Sequence, residues 1–154
     1  MSYDRFAQID LFSIRDTLFM YETRTHPEIC KYLLSNPPAS YAEHMKWLKD
    51  NVPEKRRIFL LKIEGTIIGY CHAYDFIGKD TVEIGFVVHP DHQGQGYGDR
   101  MVTELLAWLK TNMPDKKVIL YVRIGNNRAS KLYCKRGFKA KEQVLDSIRY
   151  ELEE

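Results

Sequence analysis

Apolar positions along this chain switch between a period of two and a period near 3.6, and the switches mark its elements. Phe6, Ile9, Leu11 and Phe12 predict a first strand within 3–12. Ser13 is placed to cap a helix over 13–25, with Ile14, Leu18 and Tyr21 at helical spacing. Pro27 suits the first turn of a short helix over 28–34, and Asn36-Pro37-Pro38 breaks the chain after it. Ser40 followed by Glu43 reads as a capping box for a helix over 41–50, where Tyr41, His44 or Met45, and Leu48 share a face.

The middle of the chain alternates instead. Residues 57–63 and 66–74 read as strands joined by a tight turn at Glu64-Gly65. Gly78-Lys79-Asp80 turns into a third strand over 81–88, which Pro90 stops because it has no N–H for a ladder. A helix over 96–111 carries Met101, Leu105, Leu106 and Leu109 on one face, to pack on the sheet. A strand over 118–124, a helix over 126–136 ended by Gly137, and a hairpin of 138–144 with 147–152 complete the chain. The expected class is α/β (α+β): a mixed, mostly antiparallel sheet of six or seven strands flanked by about four helices.

Composition changes this picture little. At 154 residues the chain has room for one domain, expected over 1–154, with a sizeable core. A net charge of +2, with basic residues dispersed among acidic ones, gives no electrostatic case for nucleic acid. Cys30, Cys71 and Cys134 are odd in number and widely spaced, which fits a reduced, cytoplasmic setting and neither disulfides nor zinc. No apolar run has the length of a membrane span, so no membrane partner is expected.

Candidate chemistry begins after the third strand. Gly94, Gly96 and Gly98 alternate directly before a helix. Glycines open backbone conformations closed to residues with a Cβ, so such a loop can aim several N–H groups at one point beside the positive end of the helix dipole. That is a pyrophosphate cradle. The loop lacks the Gly-Lys-Ser/Thr ending of a Walker A motif, and Asp99 stands where the third glycine of a dinucleotide fingerprint would follow Gly94 and Gly96.

What Gln93-Gly-Gln-Gly-Tyr-Gly98 does match is Gln-x-x-Gly-x-Gly, and it resembles the acetyl-CoA loop of the GCN5-related N-acetyltransferase (GNAT) superfamily. Further on, Asn126-Asn-Arg-Ala-Ser-Lys-Leu-Tyr133 followed by Gly137-Phe138 resembles that family's other signature, Asn-x-x-Ala-x-x-Leu-Tyr with Gly-Phe after it. The two motifs stand in the family's order, each on the expected kind of element, and the inferred element order is also the family's. The resemblance implies the GNAT fold and transfer of acetyl from acetyl-CoA to an amine, by direct attack in a ternary complex and without a metal.

The resemblance carries roles to particular positions. Glu83 matches the place of a catalytic base in many members, acting directly or through a water; the bland reading is a solvated glutamate at a hairpin end. Tyr133 is the candidate acid for the departing thiolate, against a plain core role. Backbone groups of Phe86, Val87 and Val88 are expected to pair with the pantetheine amides, where a β-bulge commonly splays the strand from its neighbour. Gln93, Gly94, Gln95, Gly96, Tyr97, Gly98 and Asp99 are expected to hold the pyrophosphate. Asn126 is expected near the pantetheine arm while also capping its helix. Arg128 is a candidate for the 3′-phosphate, with Arg100 and Lys131 beside it, although any one of them reads equally as a solvated cation. His89 and His92 frame Asp91 without further ligands, so no metal is assigned.

The acceptor is read from the first helices and the hairpin. Arg24-Thr-His26-Pro27-Glu28, followed by a helix with Trp47, resembles the nucleotide-amino-sugar N-acetyltransferases of bacterial pseudaminic-acid synthesis. Similar strings occur in the branch that acetylates ribosomal-protein N-termini. Alternation puts Tyr70, His72 and Tyr74 on one face, either core or acceptor cleft. Arg24, His26, Trp47, His72 and Tyr74 are therefore the candidate substrate-binding residues, and the acceptor is a small amine or nucleotide-linked amino sugar. A peptide α-amino group and a CoA-binding sensor without chemistry are the alternatives. The chain is expected to act as a monomer or homodimer.

Overall fold

A computed structural model describes residues 4–33 and 35–153. The chain runs β1 (Arg5–Gln8), α1 (Ile14–Thr25), α2 (Pro27–Cys30), α3 (Tyr41–Asn51), β2 (Arg56–Ile63), β3 (Thr66–Tyr74), β4 (Thr81–Val88), α4 (Tyr97–Asn112), β5 (Lys117–Arg123), α5 (Asn127–Lys135), β6 (Phe138–Val144) and β7 (Ser147–Leu152). The seven strands form one sheet in the order β1-β2-β3-β4-β5-β7-β6. β4 and β5 pair in parallel and every other neighbouring pair is antiparallel.

Period-two alternation sends the strand side chains into two cores. Phe59, Leu61, Cys71, Ala73, Val82 and Ile84 face α4, whose Met101, Val102, Leu105 and Leu109 are buried against them. Each such side chain contributes about 1.5–3 kcal/mol when fully buried, which explains why α4 is seated on the sheet centre. Ile58, Leu60 and Tyr70 face the other way, onto Met20 of α1 and Leu48 of α3. The cap at Ser40 forms as expected, accepting from the Glu43 N–H at 3.1 Å, while the Glu43 carboxylate reaches back to the Ala39 N–H at 3.2 Å.

Three expectations near the N-terminus are corrected. The first strand covers Arg5–Gln8, within the expected 3–12, and Phe12 is 99% exposed. Two of the three residues expected on one face of α1 turn outward, Ile14 at 73% exposed and Leu18 at 38%, while Tyr21 packs on Tyr41 and His44. Asp16, Thr17, Met20, Thr23 and Arg24 are buried instead. Long-range partners make this polar face affordable: Asp16 pairs with Lys62 at 2.8 Å and accepts from the Asp10 N–H at 3.0 Å, and Thr17 bonds the Tyr41 hydroxyl at 2.8 Å. The second helix is a single turn, Pro27–Cys30, shorter than the expected 28–34, with Leu34 outside the described residues.

Candidate active site

The site begins where β4 and β5 part. They pair only at Thr81↔Lys117, Val82↔Val118 and Glu83↔Ile119. Beyond Glu83 each strand follows its other neighbour: β4 stays on β3 as far as Gly69↔Val88, and β5 stays on β7 as far as Arg123↔Ser147. The expected bulge is not used, since the β3–β4 register runs without a shift from Tyr74↔Glu83 to Gly69↔Val88. From Ile84 to Val88 one edge of β4 therefore faces a gap with unpaired backbone groups. The gap opens into a cleft of about 1290 Å³, lined by Glu83, Phe86, Val87 and Val88 of β4, the loop before α4, α5 with Tyr133, and the inner faces of α1, α3 and β3.

At one end lies the glycine loop. Gly94 and Gly96 have φ of 80° and 84°, and a Cβ at either would meet nothing within 4 Å. The glycines thus serve backbone conformation and access, not packing. Gly96 is the N-cap of α4, and Arg100 N–H bonds its carbonyl at 3.2 Å. The N–H groups of Tyr97, Gly98 and Asp99 therefore have no intrahelical carbonyl and point out of the helix end. Gln93 anchors the loop, donating to the Val88 carbonyl at 3.1 Å and accepting from Arg128 at 2.9 Å. Arg136 forms a two-pronged pair with Asp99, which ties α5 to the start of α4 and holds the Asp99 carboxyl below its usual range. Gln93, Gly94, Gly96, Tyr97, Gly98, Asp99, Asn126 and Arg128 line the cleft; Gln95 does not. Asn126 also caps α5, its Oδ1 accepting from the Ala129 N–H at 3.4 Å. Arg100 turns away to Asp4 at 2.9 Å.

Glu83 sits at the apex of the gap on the face shared with α1 and α3. Its carboxylate accepts a short hydrogen bond from the Tyr74 hydroxyl. Burial raises the Glu83 pKa from its ordinary value, with the Tyr74 hydrogen bond opposing it. Tyr133 approaches from the opposite face of the sheet, packed on Phe86 and Phe138 at centroid distances of 5.8 Å. Burial pushes its phenol well above the ordinary value, so it stays protonated, and among the described residues its hydroxyl has no hydrogen-bond partner.

The acceptor side gathers four of the five expected residues. Arg24, Trp47, His72 and Tyr74 all line the cleft. His26 stands apart: it caps α2, accepting from the Glu28 N–H at 3.1 Å, and packs against His89 at 5.7 Å. His72 rests on Gly85, where a Cβ would lie 2.5 Å from its Nε2. Its Nδ1 lies 2.6 Å from an Arg56 nitrogen. A guanidinium can only donate, so His72 Nδ1 is the acceptor and Nε2 carries the proton. Burial, Arg56 and Arg24 hold the His72 pKa well below its ordinary value. Sequence reasoning missed Arg56, whose signal was an arginine in step with the inward-facing Ile58 and Leu60. His44, expected on the shared face of α3, is fully buried and meets Arg24 at 3.4 Å. Among the described residues no group of three His, Cys, Asp or Glu side chains is arranged to hold a metal, and no helix is long and apolar enough to cross a membrane.

The sequence model of the Acetyltransferase (GNAT) family matches residues 21–138. The chain belongs to the GNAT acetyltransferase family. Its relatives include a spermidine N(1)-acetyltransferase of Vibrio cholerae, 25% identical over 86% of this chain and 79% of that protein. The acetyltransferase PseH of Campylobacter jejuni is 23% identical over 82% of this chain and 79% of that protein. Among solved structures, the V. cholerae spermidine N-acetyltransferase in complex with CoA and spermine superposes with a TM-score of 0.86 at 18% identity, covering 97% of this chain and 94% of that one. The two share this fold. As a member of the GNAT family, the chain is an acetyltransferase.

Proposed function

We propose that this enzyme moves an acetyl group from acetyl-CoA to a primary amine by direct attack in a ternary complex, with a nucleotide-linked amino sugar as acceptor. The observation that carries the reading is the parted β4–β5 edge with the desolvated carboxylate of Glu83 at its apex. Acetyl-CoA supplies an activated thioester, an arm with two amides and a pyrophosphate, and the cleft has a complement for each. The free edge at Phe86, Val87 and Val88 offers N–H and C=O groups to the amides as an added strand would. The first turn of α4 offers N–H groups and the positive end of a helix dipole to the pyrophosphate.

Glu83 takes the proton that the amine must lose. For a lysine-like amine, with pKa about 10.4, neutrality near pH 7 costs roughly 4–5 kcal/mol, and for an α-amino group near 7.7–8 about 1 kcal/mol. A base whose pKa is raised toward working pH accepts that proton with a smaller mismatch. As the nitrogen–carbon bond forms and the carbon–sulfur bond breaks, Tyr133 gives its phenolic proton to the sulfur from the other side of the sheet. A backbone N–H of the β4 edge polarises the thioester carbonyl. Trp47 and Tyr74 line the acceptor end, where their rings carry the guanidinium groups of Arg24 and Arg56. The resemblance of the Arg24–Glu28 string to nucleotide-amino-sugar acetyltransferases supports the acceptor class, while the spermidine relative makes a polyamine the second reading.

The test follows free-thiol release from acetyl-CoA with nucleotide-linked amino sugars, peptides with free N-termini, lysine peptides, polyamines and aminoglycosides. Turnover of the amino sugars, lost in Glu83→Gln with acetyl-CoA affinity retained, is the expected result. Acetyl-CoA binding without turnover of any amine would refute the transferase reading in favour of a sensor.

A further inference from the structure

The acceptor end of the cleft holds two guanidinium groups with no carboxylate in ion-pair contact among the described residues; Glu83 acts on Arg56 only from a distance. Arg24, from α1, is only 9% exposed, and Arg56 opens β2. Both lie over the Trp47 indole, 4.4 and 4.9 Å from its centroid, and Arg56 also lies 3.9 Å from the centre of the Tyr74 ring. Their side-chain partners are imidazoles: His44 Nδ1 at 3.4 Å from Arg24 and His72 Nδ1 at 2.6 Å from Arg56. Among the described residues neither arginine makes an ion pair, and Arg56 Nε is buried with no hydrogen-bond partner at all. The acidic groups of the cleft are otherwise engaged. Glu28 pairs with Lys31, Asp99 with Arg136, Glu43 with the Ala39 N–H, and Glu83 with Tyr74.

A purely structural role explains this poorly. Like charges sharing one ring repel, and burying a charge without a counter-charge is costly unless something compensates it. Burial lowers the pKa of Arg56, and the charge of Arg24 adds to the lowering, against the attraction of Tyr74 and Glu83. Neutral imidazoles satisfy hydrogen bonds and leave the positive charge in place. An apolar pair would fill the same volume without that cost. The pattern is that of a preformed receptor for an anion, with planar donors suited to phosphate or carboxylate oxygens.

Register fixes where the anion stands relative to the chemistry. Arg56, Tyr74 and Glu83 are consecutive partners across β2, β3 and β4. At a strand spacing of about 4.8 Å, Arg56 and Glu83 are about 10 Å apart at the backbone. We propose that Arg24 and Arg56, held over Trp47, bind a phosphate or carboxylate carried by the acceptor and so present its amine to Glu83. The proposal rests on the transferase reading and narrows its substrate class: amine and anion belong to one molecule, within about 10 Å of each other. A polyamine would bring a second ammonium against two unpaired guanidinium groups.

The experiment compares matched acceptors at saturating acetyl-CoA and constant ionic strength. One arm sets glucosamine against glucosamine 6-phosphate and a UDP-linked amino sugar; the second sets alaninamide against alanine and glutamate; spermidine stands alone. The anionic members of one arm should exceed their neutral partner in kcat/KM by about tenfold or more, mainly through KM. The successful arm tells phosphate from carboxylate. Arg56→Gln should erase that preference and Arg56→Lys restore part of it, with the Kd for acetyl-CoA unchanged. Spermidine or neutral amines matching the anionic ones, or a preference that survives both Arg56→Gln and Arg24→Gln, would overturn the subsite and leave the transferase reading standing. A binding arm keeps the two separable. The CoA-saturated wild-type protein is titrated with inorganic pyrophosphate and with glutarate while the Trp47 indole N–H resonance is followed. A saturable shift, weakened in Arg56→Lys, upholds the subsite even if no acceptor turns over. No shift with either anion overturns it.

Discussion

Replacing Tyr74 by Phe removes one oxygen and leaves the ring that Arg56 covers. The hydroxyl it removes donates to the Glu83 carboxylate, in a part-buried setting. A hydrogen bond to a charged group contributes about 1.5–3 kcal/mol, and it acts here on the ionised form alone. Its loss therefore moves the ionisation equilibrium of Glu83 by about ten- to a hundred-fold toward the protonated acid. The sign is upward: burial already raises the Glu83 pKa, Tyr74 opposes it, and without Tyr74 the burial is unopposed from that side. A base must be ionised to accept a proton, so the acid limb of kcat/KM shifts to higher pH in Tyr74→Phe. Rates below the limb fall by the same ten- to a hundred-fold, while the plateau above it is largely kept. The assay is a pH profile of kcat/KM with CoA quantified chromatographically, because thiol reagents lose reactivity in acid. A limb that does not move would show that Glu83 is not the group titrating in catalysis. A uniform loss at every pH would show that Tyr74 acts by packing or by contact with the acceptor.

Three further outcomes follow from the same geometry. In Glu83→Gln, turnover should fall by about 10²–10⁴-fold. Because the folded-state pKa of Glu83 is raised, its contribution to stability is fully present below the unfolded pKa and is lost as pH rises through the folded pKa; the variant should therefore be no less stable than wild type in urea at pH 7 and lose that advantage in acid. Tyr133→Phe should keep the melting temperature within a few degrees, since the hydroxyl bonds nothing among the described residues, and slow acetyl transfer by about 10²-fold; an unaltered rate would leave Tyr133 a packing residue. The His44 pKa is lowered to about 4 by burial and by Arg24, against the Thr17 backbone, so its stability contribution is present above pH 6.5 and lost on descent toward pH 4. At 1.36 kcal/mol per pH unit that loss is about 3 kcal/mol, and urea midpoints measured from pH 7 to 4.5 should fall less steeply in His44→Gln.

The legible parts of this fold are those encoded locally. The glycine loop announces itself by three glycines before a helix, α5 by a capping asparagine and a closing glycine, and the hairpin of β2 and β3 by alternation around Glu64-Gly65. What stayed hidden depends on partners far along the chain. Nothing within 14–25 says that Asp16 will meet Lys62 or that Thr17 will meet Tyr41, so the apolar spacing of Ile14, Leu18 and Tyr21 leaves the buried polar face unseen, and of the three only Tyr21 packs inward. Arg56 gains meaning only from the register of three strands. The insertion of β7 between β5 and β6 is likewise a long-range choice, since a terminal hairpin can dock by either strand. His26 is a substrate-binding candidate only because its neighbours resemble a motif; its Nδ1 caps α2 and its ring stands outside the cleft lining.

The inward polar face of α1 and the parting of β4 from β5 are two halves of one arrangement. Along β4, Glu83, Gly85 and Val87 point to the side of α1 and α3, while Ile84, Phe86 and Val88 point to the side of α4 and α5. A continuous sheet would keep Glu83 and Tyr133 in separate compartments, divided by paired backbone. The gap beyond Glu83↔Ile119 removes that wall over the residues that separate them. In the reaction proposed above, a carbon set in the gap would meet a carboxylate from one face and a phenol from the other, so proton removal and proton delivery would not compete for one group. The same gap leaves the buried charges of Arg24 and Arg56 on the base's side only. In the proposed reaction, an acceptor steered by charge would therefore reach the face of the thioester carbonyl on the base's side of the sheet, across from the phenol that protonates the departing sulfur.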